Sequence, residues 1–362
     1  MSIIAIVACV LAINLTVDAF GILRTDFSRQ FQLPNMNVIK MKYLLMNPQR
    51  FDSFIFGSSR VGNIDPRKIA DGSCYNMIYP LGLPEEHLRN IRYLLEQGVG
   101  IKNLLVGIDE FSFTADPAPR RSDLLSQPLP AISGKPLETF YGEYYLKLRN
   151  TMPQLRKFIL YNYTDRDDRA EHRFIYDIYE SGRILCPSCD EDLAKPHQRR
   201  KFVPDQNFNQ GDYVEQTLGS ISEIVQLAKD HHIRLTLFIN PTPEASYRTA
   251  DLVRFGQFKR KLAAISDYYD FSGMNSITTD TENYYEILHF RPFVGDMMLD
   301  VMFGSPKVKV PADFGFHVTL QNVDRHLYEQ CRDLTRVKSA YDLPSVNKAY
   351  ADSCSLGTVR GR

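Results

Sequence analysis

The segment FDSFIFGSSRVGNIDP, residues Phe51–Pro66, joins a short apolar run to a turn of small and polar residues. Its first half predicts a buried strand at Phe51–Phe56. The strand runs directly into a glycine, two hydroxyl side chains and a cation, which are Gly57, Ser58, Ser59 and Arg60. Since ligands of open parallel sheets bind beyond the carboxyl ends of the strands, this turn is a candidate functional site.

Strands and helices alternate along much of the chain. Further strands are predicted at residues 75–79, 101–109, 233–241 and 268–273, and helices at residues 84–98, 213–231, 249–265 and 294–304. The helix that begins at Pro84 is well marked, because acidic residues follow the proline and Gly98 ends the apolar periodicity. Alternation of this kind predicts an α/β fold with a parallel sheet and right-handed crossovers.

One stretch, from about residue 115 to residue 212, breaks the alternation with prolines, clustered tyrosines and charged residues. We predict a partly helical insertion there, of the kind that forms a lid or wall over a site. Its tyrosines and arginines suit a sugar or polyanion ligand, or, more simply, aromatic packing with a solvated charged face. The predicted plan is a lead-in at residues 24–50, one decorated domain at 51–310 and a C-terminal extension at 311–362.

The composition is that of a folded, charge-balanced protein. Of the 362 residues, 44% are hydrophobic and 24% are charged, and 43 basic residues balance 43 acidic ones. Such a chain buries a sizeable core and is not disordered. Because nucleic-acid-binding proteins usually carry a basic excess, no nucleic-acid partner is predicted.

The first segment, Ile3–Leu23, is mostly apolar and long enough to cross a bilayer as a helix. It predicts an N-terminal membrane anchor at residues 1–23. The alternatives are a cleaved signal peptide, with Val17-Asp18-Ala19 as its cleavage site, and a buried helix of the domain. No Lys or Arg precedes the segment, which weakens both export interpretations.

The six cysteines, at positions 9, 74, 186, 189, 331 and 354, are too few for a disulfide scaffold. Only Cys186-Pro-Ser-Cys189 has an informative spacing. A zinc site needs further ligands, and the sequence offers only His197 nearby, so a local disulfide or an unpaired loop pair is favoured. A thioredoxin-like role would need a preceding strand and a following helix, which are absent. No metal and no cofactor are predicted.

A serine at the end of the first strand can act as a nucleophile if a base reaches it. The glycine before it allows a tight turn whose backbone N–H groups point at a reacting oxygen. A serine N-cap and a phosphate-binding turn are the competing uses. The P-loop form of a phosphate site is excluded, because the Gly-Lys-Ser/Thr ending is missing.

A candidate base lies far downstream, in the segment NYYEILHFRPFVGDMML. His289 comes three residues after Glu286 and shortly before Pro292, at the loop that opens the last α/β helix. A carboxylate at this spacing can hold the imidazole tautomer while the other ring nitrogen faces Ser59. The alternative is a histidine with a structural hydrogen bond at a helix start.

Together the two segments resemble the SGNH, or GDSL-like, hydrolase superfamily, in which the nucleophilic serine follows the first strand and an Asp-x-x-His pair precedes the last helix. FIFGSSR and HFRPFVGDMML are most similar to membrane-anchored SGNH-like proteins of bacterial cell-envelope polysaccharide acylation. The resemblance covers roughly Phe51 to Gly304, apart from the insertion. It implies a three-layer, flavodoxin-like sheet.

The resemblance assigns roles residue by residue. Ser59 takes the place of the nucleophile and His289 that of the general base. Glu286 stands where the family has aspartate, one methylene longer, and Ser58 stands where the family name has aspartate. These matches imply a serine-dependent reaction with no cofactor.

The resemblance also implies a hole of N–H donors for the oxyanion. Gly82 matches the family's oxyanion glycine, and the N–H of Ser59 is the second donor. At the end of the third strand the family has an asparagine donor, whereas this chain has Asp109. An ionised aspartate cannot donate a hydrogen bond, and losing one such donor typically costs about 10²- to 10³-fold in rate.

Two arginines flank the motifs and are candidates for binding an anionic or sugar substrate. They are Arg60 and Arg291. The alternative for each is a salt bridge to a nearby carboxylate, the candidates being Asp109, Glu110 and Asp296.

The function implied by the resemblance is that of a membrane-anchored, extracytoplasmic serine esterase or O-acyltransferase. Its substrates would be acyl esters, with acetyl favoured, of a cell-envelope polysaccharide, in partnership with a membrane O-acyltransferase. The alternative is a non-catalytic SGNH-like binding or scaffolding partner of such an acyltransferase. The missing asparagine and the Glu-for-Asp change motivate that alternative.

Overall fold

The strand that precedes the GSSR turn lies inside a six-stranded sheet. The computed structural model describes residues 2–27, 30–118, 123–163, 174–187, 189, 201–203, 211–339 and 341–355. Its strands are β1 (Ser53–Phe56), β2 (Cys74–Asn76), β3 (Asn103–Ile108), β4 (Ile175–Asp177), β5 (Arg183–Leu185), β6 (Arg234–Ile239), β7 (Tyr268–Asp270) and β8 (Phe316–Val318).

The described helices alternate with the strands of the sheet. They are α1 (Ile3–Val17), α2 (Met36–Met46), α3 (Pro84–Glu96), α4 (Pro130–Ser133), α5 (Leu137–Tyr145), α6 (Leu148–Tyr163), α7 (Val214–Asp230), α8 (Glu244–Thr249), α9 (Leu252–Ile265), α10 (Pro292–Phe303), α11 (Val323–Arg336) and α12 (Ser345–Ser355). Short 3₁₀ helices cover Ser59–Asn63, Pro66–Lys68 and Thr281–Asn283.

The central sheet is mostly parallel. Its strand order is β2, β1, β3, β6, β7, β8, and each neighbouring pair is parallel except β7 and β8. The predicted α/β class with a parallel sheet is therefore confirmed. Because the first five strands point the same way, the turns after β1, β3 and β6 open at one edge of the sheet.

Apolar side chains cover both faces of the sheet. In β1, Phe54 and Phe56 belong to one core cluster and Ile55 belongs to the other, as the two-residue period of a strand requires. In β3, Leu104 and Val106 face the first cluster and Leu105 the second. Burial on both faces explains why these strands read as continuous apolar runs.

The predicted continuous apolar helix at Ile3–Leu23 is wrong, because α1 ends at Val17. Asp18 takes a left-handed conformation there, and its carboxylate accepts hydrogen bonds from the N–H groups of Ile22, Leu23 and Arg24. The carboxylate thereby caps a turn. Among the described residues, no helix combines the length and the apolar character that crossing a membrane requires.

The lead-in and the C-terminal extension belong to the domain core. Helix α2 lies within the predicted lead-in at residues 24–50, and most of its side chains are buried. β8 lies within the predicted extension at residues 311–362, yet it pairs with β7 in the central sheet. The predicted boundary at residue 310 therefore cuts through the sheet. β8 has only three residues and its first residue is only partly buried, so the sequence there does not show the alternation of apolar and polar residues that predicts a strand.

The described part of the predicted insertion at 115–212 contains α4, α5, α6 and an antiparallel hairpin of β4 and β5. The hairpin reaches the GSSR region, because Arg183 donates from Nε to the Gly62 carbonyl at 3.2 Å and pairs with Asp65 at 3.0 Å. The rest of the insertion, including His197, lies outside the described residues. The hairpin thus forms one wall beside the turn after β1.

Four cysteines are paired in disulfides. Cys186 bonds to Cys189, which is the local pairing that the sequence favoured over a metal site. Cys331 bonds to Cys354, a pairing that the sequence analysis missed. The second bond joins α11 to α12 and fixes the C-terminal helix to the domain.

Candidate active site

The GSSR turn places Ser59 at the first position of the 3₁₀ helix Ser59–Asn63. Ser58 is the N-cap of that helix, and its Oγ accepts a hydrogen bond from the Arg60 N–H at 3.3 Å. A Cβ at Gly57 would lie 2.5 Å from a methyl carbon of Val61, so the turn requires a glycine there. The two serines are thus separated by role, since Ser58 is buried and caps the helix while Ser59 is half-buried.

The loop that carries the candidate base closes on itself before α10. Tyr284 and Phe290 form an antiparallel bridge, and the Tyr285 N–H donates to the His289 carbonyl at 2.8 Å. Inside the loop, the Glu286 carboxylate accepts backbone N–H bonds from Leu288 at 2.8 Å and from His289 at 3.0 Å. Glu286 therefore stabilises the loop as well as facing the imidazole.

Ser59, His289 and Glu286 converge, although the serine and the histidine are 230 positions apart. His289 Nε2 lies 2.7 Å from Ser59 Oγ, and His289 Nδ1 makes a close hydrogen bond with Glu286 Oε1. With Nδ1–H donated to the carboxylate, the lone pair of Nε2 faces the hydroxyl. This is the arrangement that proton removal from a serine requires.

The three side chains are open to solvent rather than sealed in the core. The His289 and Glu286 side chains are 31% and 47% exposed. Burial raises the pKa of Glu286. This effect is outweighed by the hydrogen bond and charge of His289 and by the hydrogen bonds from two backbone N–H groups, so the pKa lies below its ordinary value. Glu286 therefore stays ionised through the neutral range and can orient the imidazole.

Replacing Glu286 by glutamine is expected to leave the His289 imidazole free to adopt either tautomer, because an amide can donate as well as accept a hydrogen bond. It should also remove a pH-dependent contribution to stability. Since the folded pKa of Glu286 is lowered, that contribution is full above the unfolded value, about 4.3, and is lost as the pH falls through the folded value. Urea unfolding of both proteins across acidic and neutral pH measures it. If the difference in the free energy of unfolding between the wild type and Glu286→Gln were the same in acid as at neutral pH, this explanation would be wrong.

The structure overturns the predicted substrate-binding role of Arg60. Its side chain is 1% exposed, and its guanidinium pairs with Asp109 at 3.0 Å and makes a bidentate contact with Glu110. The ring of Phe111 lies 5.3 Å below the guanidinium carbon. A cation enclosed in this way cannot contact a substrate, so the salt-bridge alternative is the correct one.

Asp109 is not an oxyanion donor. It is fully buried, and one carboxylate oxygen accepts hydrogen bonds from Arg60 and from Asn240 Nδ2, each at 3.0 Å. Burial raises the pKa of Asp109, against the opposing charge of Arg60. For Glu110 the attraction of Arg60 outweighs burial and lowers the pKa, so Glu110 carries the charge that matches Arg60.

Sequence reasoning missed Asn240 and Thr242, which complete this buried group. Asn240 follows β6 and donates to Asp109, and Thr242 Oγ1 donates to Glu110 at 3.0 Å. Asn240 is the first residue, and Thr242 the third, after a strand of the parallel sheet. The rule that selected the turn after β1 would have selected them too, because the carboxyl ends of parallel strands meet at one edge.

The candidate oxyanion donors differ in availability. Gly82 packs against the nucleophile turn, since a Cβ there would lie 2.7 Å from the Gly57 carbonyl oxygen. Its own N–H donates to the Tyr79 carbonyl at a long 3.4 Å. The Ser59 N–H has no acceptor in the described part of the chain. Ser59 is therefore the better placed donor, and the role of Gly82 stays a prediction.

Arg291 lies at the N-cap of α10, two residues after His289. Its side chain donates to the Glu282 carbonyl at 3.3 Å and stacks over Phe293 at 5.3 Å. The proposed salt-bridge partner Asp296 binds Lys68 at 2.6 Å. The role of Arg291 in substrate binding stays a prediction.

Comparison with models of known families, with curated proteins and with solved structures gives no match to this chain. Within the described residues, no group of three or more His, Cys, Asp or Glu side chains is arranged to hold a metal ion. What the site does must therefore be argued from its own geometry.

Proposed function

We propose that the chain is an SGNH-like serine esterase or O-acyltransferase. The observation that carries this proposal is the unbroken hydrogen-bonded line from Glu286 through His289 to Ser59 Oγ. Nucleophile, base and orienting acid are the three parts that acyl transfer through a serine needs. The side chains are accessible to solvent, so an ester can reach them.

The fold supports the same assignment. The order of the first five strands, β2, β1, β3, β6, β7, is that of flavodoxin-like sheets, with cores on both faces as in a three-layer fold. The serine follows β1 and the histidine precedes α10, which is the order expected of SGNH hydrolases. β8 is an added antiparallel edge strand.

In the proposed reaction, Ser59 Oγ attacks the ester carbonyl while His289 Nε2 takes its proton. The negative oxygen that forms is stabilised by the Ser59 N–H. The ester C–O bond then breaks, His289 returns the proton to the departing alcohol, and an acyl-serine remains. Water or an acceptor hydroxyl, activated by His289, attacks the acyl-serine and frees Ser59.

The proposed substrates are acyl esters of a cell-envelope polysaccharide, acetyl esters first. This part of the proposal rests on the resemblance of FIFGSSR and HFRPFVGDMML to SGNH-like proteins of envelope acylation. The two disulfides support an extracytoplasmic location, because such bonds persist in oxidising compartments.

Labelling with a fluorophosphonate tests the proposal directly. The reagent is expected to modify the wild-type protein on Ser59, because Ser59 Oγ lies 2.7 Å from His289 Nε2, which can take its proton, and peptide mass spectrometry locates the adduct. Turnover of an aryl acetate should disappear in proportion to labelling. A protein that stays unlabelled and inactive, beside a reactive control esterase, would overturn the proposal.

A second candidate is a non-catalytic partner of a membrane O-acyltransferase. It is favoured by the small number of N–H donors available to an oxyanion. Asp109 accepts a hydrogen bond from Arg60, and the Gly82 N–H donates to the Tyr79 carbonyl. In that case the polysaccharide should bind with measurable affinity to a protein that fluorophosphonates leave untouched. Labelling on Ser59 would exclude this candidate.

A further inference from the structure

One hydrogen bond connects the two halves of the candidate active site outside the reacting side chains. Arg60 Nε donates to the Leu288 carbonyl at 3.0 Å. Arg60 is the residue after Ser59, and Leu288 is the residue before His289. The direct neighbours of nucleophile and base are therefore bonded to each other, across 228 positions of sequence.

The guanidinium that makes this bond is itself held firmly. Its Nη1 and Nη2 atoms bind the carboxylate pair, which we define as Asp109 and Glu110 after β3. Asn240 and Thr242, after β6, donate to the same two carboxylates. Arg60 is thus fixed by groups at the ends of three neighbouring strands, β1, β3 and β6.

The arrangement uses features that only arginine has. A guanidinium is planar and presents N–H donors in several fixed directions, so it can bind the carboxylate pair and still direct Nε at the Leu288 carbonyl. A lysine ammonium carries the same charge but has no nitrogen at the Nε position. Such a contact is lost when lysine replaces arginine, even if the charge pairing survives.

Building on the proposed esterase function, we propose that Arg60 is a positioning residue that holds the loop of Glu286 and His289 at hydrogen-bonding distance from Ser59. Arg60 is buried and contacts neither the reacting atoms nor a substrate. It acts by tying the backbone of the base loop to the rigid strand ends. The neighbouring contact to the loop backbone, from Ser246 Oγ to the Ile287 carbonyl, is longer at 3.4 Å.

Replacing Arg60 by lysine is expected to lower kcat by about 10²-fold, because a displacement of about 1 Å between reacting groups costs this much. KM should stay within about twofold of the wild type, because Arg60 does not touch the substrate. Steady-state hydrolysis of an aryl acetate, measured well below the thermal unfolding midpoint, gives both constants.

The matched control is Lys259→Arg. Lys259 is also a buried cation, and it pairs with Asp270 at 2.8 Å in a network between α9, β7 and α11. This exchange disturbs a buried ion pair with no hydrogen bond to the candidate site. It should lower the unfolding midpoint and leave kcat unchanged. Equal losses of kcat in Arg60→Lys and Lys259→Arg would overturn the positioning role.

A second readout does not depend on turnover. The proton shared by His289 Nδ1 and Glu286 should give a far-downfield NMR resonance, assigned by its loss in His289→Gln. In Arg60→Lys this resonance should broaden or vanish, whereas Lys259→Arg should keep it. An unchanged resonance in Arg60→Lys overturns the positioning role. If the wild-type protein shows the resonance but neither hydrolyses esters nor is labelled, the esterase proposal fails. The positioning role of Arg60 is then still tested by comparing the resonance in Arg60→Lys and Lys259→Arg.

Glu110→Gln keeps the inference testable if Arg60→Lys does not fold. Glutamine retains the size of Glu110 and can accept from Thr242, but it binds the guanidinium less tightly. It should lower kcat by about 10-fold with KM unchanged. Full kcat in a folded Glu110→Gln protein would contradict the proposal.

Discussion

Replacing Ser59 by alanine is expected to abolish fluorophosphonate labelling and to lower the kcat for ester hydrolysis by about 10⁴- to 10⁶-fold. The structure gives the reason, since Ser59 Oγ is the hydroxyl that lies 2.7 Å from His289 Nε2. Without it no acyl-serine can form, and any remaining rate comes from water activated by His289. Labelling stoichiometry and kcat are the measurements.

Ser58→Ala is the matched control for this substitution. Ser58 is the N-cap of the 3₁₀ helix, and its Oγ accepts a hydrogen bond from the Arg60 N–H. Its loss should lower the free energy of unfolding by about 1 to 2 kcal/mol, while the labelling of Ser59 is retained. If Ser58→Ala lost labelling and Ser59→Ala kept it, the assignment of the nucleophile would be wrong.

Replacing His289 by glutamine is expected to lower kcat by a similar factor, about 10⁴- to 10⁶-fold, with the hydroxyl still in place. Glutamine cannot take a proton from Ser59 Oγ, so hydroxide must do so. The residual rate should therefore rise with pH in proportion to the hydroxide concentration. A pH series of turnover and labelling rates measures this change.

His326→Gln is the control for the histidine. His326 Nε2 also contacts a buried carboxylate, Asp270, at 2.9 Å, but it lies on α11 and makes no hydrogen bond to the candidate site. This substitution should reduce stability and leave the pH profile of turnover as in the wild type. A comparable loss of kcat in His326→Gln would show that the effect of His289→Gln reflects general damage to the fold.

The sequence predicted the central sheet well because its strands are buried on both faces. Continuous apolar runs such as those of β1 and β3 are produced by that burial, and the residues after them mark the functional edge. The convergence of Ser59 with His289 was predicted from the two motifs together with the family resemblance, which implies a sheet whose strand order brings their turns to one edge. At these positions the apolar runs in the sequence correspond to strands of the observed sheet, and the turns after them lie at its functional edge.

Other features depend on contacts that the local pattern does not reveal. In the sequence, Asp18 figured as part of the cleavage site of the signal-peptide alternative. The hydrogen bonds that its carboxylate accepts from backbone N–H groups and from the Tyr145 hydroxyl show why the helix stops there. Arg60 looked like a substrate-binding cation, because its partners Asp109 and Glu110 come from another strand. Burial of a charge is decided by tertiary partners, so the sequence alone left both alternatives open.

The separation of 230 positions between Ser59 and His289 also bears on how the protein is made. During synthesis on a ribosome, the nucleophile turn emerges long before the base loop, and Arg60 has no Leu288 to bind. A nascent chain therefore holds an unactivated serine until the loop before α10 has emerged. In the proposed reaction, acyl transfer can therefore begin only after the loop before α10 has been made and has folded against the nucleophile turn.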